Sequence, residues 1–151
     1  MTGTVTSAPR AARREDLETA RALVRAAGLP LVGLDEHFAG FWILDAPGGG
    51  LAGLAGAERH GDAWLLRSLV VHPEFQGRGH GRALLEAVLT EASRAGAREV
   101  FLLTTDAQPY FAAHGFEALP RTSAPAALRT SAELGGACPD SATLMRLEVS
   151  A

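Results

Sequence analysis

The 151 residues suffice for one compact domain with a hydrophobic core, and 47% apolar with 21% charged residues is ordinary globular composition. Fourteen basic against seventeen acidic residues leave a net charge of −3, which excludes an electrostatic case for nucleic acid. A single cysteine, Cys138, excludes an internal disulfide framework, and no apolar run approaches a membrane span.

All basic residues are arginine, and lysine and asparagine are absent, a bias that the codons of a GC-rich genome account for. No CxxC or clustered His/Cys spacing points to zinc, so no metal is expected. Residues 1–7 read as a flexible tail, loose or weakly paired, without the apolar stretch of a secretory signal, so a cytoplasmic location is expected by default. Residues 14–27 place Leu17, Ala20, Leu23, Val24 and Ala27 at spacings of three and four. That is an amphipathic helix with an acidic first turn, stopped by Gly28. A short second helix is expected over 35–40. Strands follow over 41–45, 51–58 and 63–71, separated by turns at 47–50 and 61–62.

The helix over 81–94 carries an apolar stripe of Leu84, Leu85, Val88, Leu89 and Ala92, and Gly96 caps it. A buried strand is expected over 99–105, a short helix over 109–114, a strand from 116, a helix over 124–134 and a closing strand over 142–149. Antiparallel strands with one strand–helix–strand crossover imply a single α/β domain over 8–151, its mixed sheet covered by helices on both faces.

The most informative segment is Gln76-Gly77-Arg78-Gly79-His80-Gly81, between an apolar strand and a helix. Alternating glycines let the chain turn tightly and bring its amides to an anion at the positive end of the helix dipole. A dinucleotide fingerprint would need G-x-G-x-x-G after the first strand of a βαβ unit, and a P-loop needs a lysine. Neither fits. What is left is a structural loop or a site for the diphosphate of coenzyme A.

This segment resembles the Q/R-x-x-G-x-G/A signature of the GNAT acetyltransferases. Leu69-Val70-Val71-His72-Pro73 resembles that family's fourth strand, and residues 107–116 resemble its A-x-x-F-Y-x-x-x-G-F segment. The resemblance implies a GNAT fold with a mostly antiparallel sheet of six or seven strands, the fourth and fifth splayed apart. It implies acetyl-CoA as acyl donor, with the backbone from Gly77 to Arg82 on the diphosphate and Leu69, Val70 and Val71 along the pantetheine arm. Gln76, Arg78, Gly79, His80 and Gly81 belong to the same cofactor set. Thr104 would bond the coenzyme or substrate, and Phe111 would pack along the pantetheine.

The acceptor implied is the amine of a small molecule, with no nucleic acid or membrane partner and a homodimer left open. Many family members carry a glutamate base four residues before the last valine of the fourth strand, where this chain has Arg67. Arg67 suits an anionic group on the substrate, or an ion pair with cross-strand Glu58. Tyr110 takes the slot beside that of the family's tyrosine acid, which is Phe111 here, and is read either as the acid or as a packed side chain. Glu58, His60 and His72 are the remaining bases, of which Glu58 and His60 share a strand face and His72 falls opposite Arg67 and Val71.

Cys138 reads as a small apolar residue, a nucleophile or an arsenic ligand. Residues 28–30, 65–71, 102–105 and 138–142 further resemble the GNAT group of arsenic-resistance operons, which implies an organoarsenical or phosphinate amino acid as one acceptor. Two other classes stay open: a CoA-binding sensor without turnover, and a protein or peptide N-acetyltransferase.

Overall fold

Alternation along the strands decides which side chains each face of the sheet buries. The computed structural model describes residues 8–131, 133–134 and 141–149. Strands β1 (Arg10–Ala11), β2 (Phe41–Asp45), β3 (Leu51–His60), β4 (Ala63–Val71), β5 (Glu99–Thr104), β6 (Glu117–Leu119) and β7 (Thr143–Glu148) form one sheet in the order β1-β2-β3-β4-β5-β7-β6. The β4–β5 pair is parallel and its neighbours pair antiparallel.

The helices are α1 (Leu17–Ala26), α2 (Leu34–His37), α3 (His80–Arg94) and α4 (Gln108–Ala113). On β4 and β5, Trp64, Leu66, Val100 and Leu102 face α3, whose Leu84, Leu85, Val88 and Ala92 fill the larger core with Phe111 of α4. On the other face, Ala20 and Val24 of α1 and Leu34 of α2 pack on Phe41, Ile43 and Leu54. Leu65 and Phe101 bury Leu128 on that same side. Helices therefore cover both faces of a seven-stranded mixed sheet, as expected. Among the described residues no helix is long and apolar enough to cross a membrane.

Two expectations are corrected. The helix expected over 124–134 is a short 3-10 turn, Ala126–Thr130, that ends at an extended Ser131. Hydroxyls compete with the helix there: Thr130 donates back to the Ala127 carbonyl at 3.3 Å, and Ser131 Oγ accepts the Glu133 N–H at 3.3 Å. Simple alternation also puts Arg67 and Val71 on one face. The register shifts instead between Gly56↔Arg67 and Leu54↔Val70, so β4 bulges at Ser68, which holds φ 58°. The extra residue turns Arg67 and Val70 to the α1 side and Val71 toward α3. Cys138 and residues 1–7 lie outside the described residues.

Strand β1, which the sequence pattern does not show, is held by Arg10. Its guanidinium donates to both oxygens of Asp45 on β2 (2.7 and 2.9 Å) and to both of Asp16 ahead of α1 (2.9 and 3.0 Å). The hydrogen bonds from Arg10 hold both carboxyls below their usual 3.8, so this clasp is complete above that pH and is lost as the pH falls through their folded values. Because the site is partly open to solvent, Arg10→Gln should lower stability by only about 1 kcal/mol at neutral pH. The melting-temperature gap between wild type and variant should hold steady above pH 3.8 and close in stronger acid.

Candidate functional site

Strands β4 and β5 pair over only three positions, Ala63↔Glu99, Trp64↔Val100 and Leu65↔Phe101. Beyond Leu65 they diverge, and a cleft of about 910 Å³ opens between Arg67–Leu69 and Val71 on one side and Leu102–Thr104 on the other. The His72 N–H donates to the Ala52 carbonyl at 2.7 Å, so Ala52 and His72 form a hydrogen-bonded pair and Gly53–Val71 does not. In an antiparallel ladder that alternation points the N–H and C=O of Val71 away from β3, into the cleft. The Gln76 side chain donates to this carbonyl at 2.9 Å and closes the following loop against the strand end.

Gly77 and Gly79 hold φ of 78° and 83°, and nothing stands within 4 Å of where a Cβ would be on either. Their conformation, not crowding, demands glycine. Gly79 caps α3, whose first-turn N–H groups have no partner within the helix and face the cleft mouth. The Nε2 of His80 is buried without a hydrogen-bond partner, an orphan that a ligand in the cleft would satisfy. Arg82 lines the mouth beside it, while Arg78 lies over the Phe75 ring at 5.9 Å and outside the lining. A diphosphate fits this arrangement of amides, glycines and flanking cations.

Tyr110 and Phe111 form the α4 side of the cleft. Phe111 is buried edge-on against Phe116. Tyr110 crosses to α3: a Cβ added to Gly81 would lie 3.3 Å from its hydroxyl and 3.7 Å from Val71 Cγ2. Burial pushes the Tyr110 phenol up against the opposing charge of Arg82, so it is a protonated donor at neutral pH. Thr104 lines the β5 wall, and its hydroxyl accepts the Ala107 N–H at 3.0 Å at the entry to α4. His72 is taken up by the following turn, where its Nδ1 accepts the Glu74 N–H.

The inner end of the cleft is different in kind, built from side chains and from the loop between α1 and α2. Leu29, Pro30, Arg67, Ser68 and Glu133 line it. Arg67 has no exposed side-chain surface, and its donors are engaged. Nη1 meets Glu58 Oε2 at 2.8 Å and the Val32 carbonyl at 2.7 Å, Nη2 meets the Pro30 carbonyl at 3.0 Å, and Nε meets Ser68 Oγ at 3.2 Å. The ion pair with Glu58 is thus present, and Arg67 holds the acceptor-side loop in place.

Glu58 is itself 1% exposed and stands behind Arg67, outside the cleft lining. Burial alone would raise its carboxyl, but bonds from His60, Ser131 and Arg67 outweigh that and hold it below the usual range. Glu58 is therefore a fixed anion, a poor proton acceptor. Val70, expected along the pantetheine, likewise faces the α1 side, opposite Leu54. The sequence reading passed over Glu133, whose Oε2 is 3.7 Å from Arg67 Nε; it lies far along the chain in no recognisable motif.

The model of the acetyltransferase (GNAT) domain family matches residues 37–118. The chain belongs to the GNAT acetyltransferase family. Its fold is shared with N-acetylglutamate synthase from Neisseria gonorrhoeae, solved with coenzyme A and N-acetyl-glutamate (TM-score 0.82, 24% identity). That match covers 99% of this chain and 36% of the synthase, so the GNAT domain here spans about a third of that protein. Rv2747 from Mycobacterium tuberculosis, solved with CoA, superposes with a TM-score of 0.78 at 23% identity over 94% of this chain and 99% of its own. An amino-acid acetyltransferase of Pseudomonas fluorescens is 41% identical over 56 residues, which is 37% of this chain and 13% of that protein.

Since Arg67 is buried with its charge paired, Arg67→Ala leaves Glu58 uncompensated in the GNAT core. Such a loss typically costs about 3–5 kcal/mol. Urea unfolding should show a drop of that size, and the neutral partner change Glu58→Gln should cost less.

Proposed function

We propose that this chain transfers the acetyl group of acetyl-CoA to the amine of a small, amino-acid-like molecule. One observation carries the reading: a cleft runs from the glycine loop at the start of α3, past the exposed edge of β4, to an inner end lined by Arg67 and Glu133. The diphosphate sits on the amides from Gly77 to Arg82, and the pantetheine runs as an extended strand beside Leu69 and Val71. An inner end lined by the buried charges of Arg67 and Glu133 suits a small polar acceptor. The amino-acid acetyltransferase likeness supports the same acceptor class.

The reaction needs a neutral amine, a polarised thioester and a proton for the thiolate. The amine nitrogen attacks the thioester carbonyl, and the C–S bond breaks as the C–N bond forms. The amine proton leaves to solvent or a carboxylate, and the coenzyme departs as thiol. The Val71 N–H, pointed into the cleft, stabilises the oxyanion. Asp106 and Glu133 are the carboxylates that line the cleft, and Glu133, at the inner end beside Arg67, can hold the acceptor ammonium and take its proton. Tyr110 donates toward the coenzyme from the α3 side, with the reach to supply the thiolate proton through water.

Glu58 serves through Arg67 as a positioning residue. Its pairing holds Arg67 in the acceptor wall, where the guanidinium shapes that wall through the Pro30 and Val32 carbonyls. Organoarsenical and phosphinate amino acids are included in the acceptor class through the resemblance of residues 138–142 to the arsenic-resistance group.

Calorimetry should show one acetyl-CoA site. CoA release should then appear with some member of a panel of amino acids, phosphinate and arsenical amino acids, polyamines and peptides. Glu133→Gln should raise the acceptor KM about tenfold or more and leave acetyl-CoA affinity unchanged. No binding of acetyl-CoA overturns the proposal. Binding with no release across the panel makes the chain a sensor, and release with peptides alone makes it a protein acetyltransferase.

A further inference from the structure

On the side of β3 that faces α2, away from the coenzyme loop, the fold assembles a second polar cluster. Glu58 and His60 alternate on β3 and so share a face, and His37 closes the last turn of α2 above them. The Nε2 atoms of both histidines converge on Glu58 Oε1, His60 at 2.9 Å and His37 at 3.8 Å, and all three ligand atoms lie within 4.8 Å of one another. The two imidazole rings stand 5.6 Å apart, tilted by 56°.

We propose that His37, Glu58 and His60 bind one divalent transition-metal ion of the zinc class. Two imidazoles and a carboxylate are the donor set such an ion prefers. Tetrahedral bonds of about 2.0–2.1 Å put neighbouring ligand atoms roughly 3.3 Å apart. The two distances to Glu58, 2.9 and 3.8 Å, bracket that value, and with all three ligand atoms within 4.8 Å of one another the side chains close on an ion by small rotations. The ion takes the place of the direct contacts that the two Nε2 atoms now make with one oxygen.

The carboxylate is already oriented for this. Its Oε2 is held by Arg67 at 2.8 Å, and Oε1 is the oxygen turned to the histidines. Gly33 allows the close fit, because a Cβ there would meet Arg67 Nη1 at 2.9 Å and Glu58 Oε2 at 3.5 Å.

Access and charge both permit the ion. The side chains of His37 and His60 are 21% and 12% exposed, so the site is reached from solvent past them. The positive charge of Arg67 opposes the ion and tempers its affinity. Glu133 beside Arg67 and the exposed Glu36, whose Oε2 is 3.2 Å from His37 Nε2, offset part of that charge. Glu36 or water fills the fourth position. An ion here would pin α2 to β3 next to the Arg67 contacts that hold the Pro30 and Val32 carbonyls.

The test uses the full chain, stripped with a chelator and titrated with Co²⁺ and then Zn²⁺ alone. One equivalent of Co²⁺ should give a visible d–d band that Zn²⁺ removes, and Zn²⁺ should raise the melting temperature. His37→Ala and His60→Gln should each weaken binding at least tenfold, with circular dichroism and acetyl-CoA affinity retained. His114→Ala and Cys138→Ser should bind as wild type does. Absence of a band or of binding heat at millimolar metal overturns the site. So does binding that survives both histidine variants or disappears in Cys138→Ser. If one histidine variant fails to fold, the other and the spectrum of the wild type decide.

Discussion

The parting of β4 from β5 is the constraint on which everything else in this domain depends. Parallel strands normally stay paired along their shared length, because an unpaired buried strand edge leaves polar groups without partners. Here the pairing stops after Leu65↔Phe101, and two features make that tolerable. The bulge at Ser68 bends β4, and the gap opens to solvent as a cleft where an extended amide-bearing ligand can take the place of a neighbouring strand. The same bulge separates two jobs. It sends Arg67 to the α1 side, where it braces the inner wall, and returns Val71 to the α3 side, where its N–H faces the coenzyme path.

Behind that wall lies a buried arginine–glutamate pair, an arrangement with little net stabilising power. Taking both charges out of water costs several kcal/mol per ion by rough estimate, and the attraction between them repays this only with near-ideal geometry and further hydrogen bonds. Arg67 meets those conditions with two backbone carbonyls, a hydroxyl and two carboxylates around one guanidinium. Apolar residues could fill the space as stably. What they could not do is fix the loop over residues 29–33 by its carbonyl groups, so the pair positions the inner end of the cleft. It also holds the Glu58 carboxyl below its usual range, which removes Glu58 from the role of proton acceptor.

Most of the fold was legible in local pattern. The period-3.6 stripe of α3, the apolar alternation of β3 and β4 and the glycines at 77, 79 and 81 each have a single structural solution, and each lies where the pattern puts it. The failures have physical causes that apolar periodicity does not register. Strand β1 is two residues long and exists because Arg10 meets Asp45, 35 positions away. The bulge at Ser68 carries no glycine signal, and it inverts the face of every residue before it relative to those after it. Thr130 and Ser131 bond their own backbone, which turns an apparently helical segment aside. The coenzyme end could be read early because backbone builds it, and backbone geometry writes itself into glycine positions. Arg67 was found by counting along a strand, but its engagement depends on carbonyls of the loop 35 and 37 residues earlier.

That contrast bears on how such a domain acquires an acceptor. On the proposed reading, amides and a helix terminus bind the coenzyme, so side chains there can vary widely without loss of the site. The inner end is lined by Arg67 of β4, Glu133 and the loop between α1 and α2, pieces brought together by packing alone; on the proposed reading, acceptor selectivity rests there. A change in any one alters which amine fits and leaves the coenzyme cradle as it was. The inner end also carries the larger electrostatic load, with an arginine, two glutamates and two histidines drawn into one connected network. Each of these groups fixes the orientation of the next. The network therefore responds as a unit, and the acceptor wall is only as well placed as its least satisfied member.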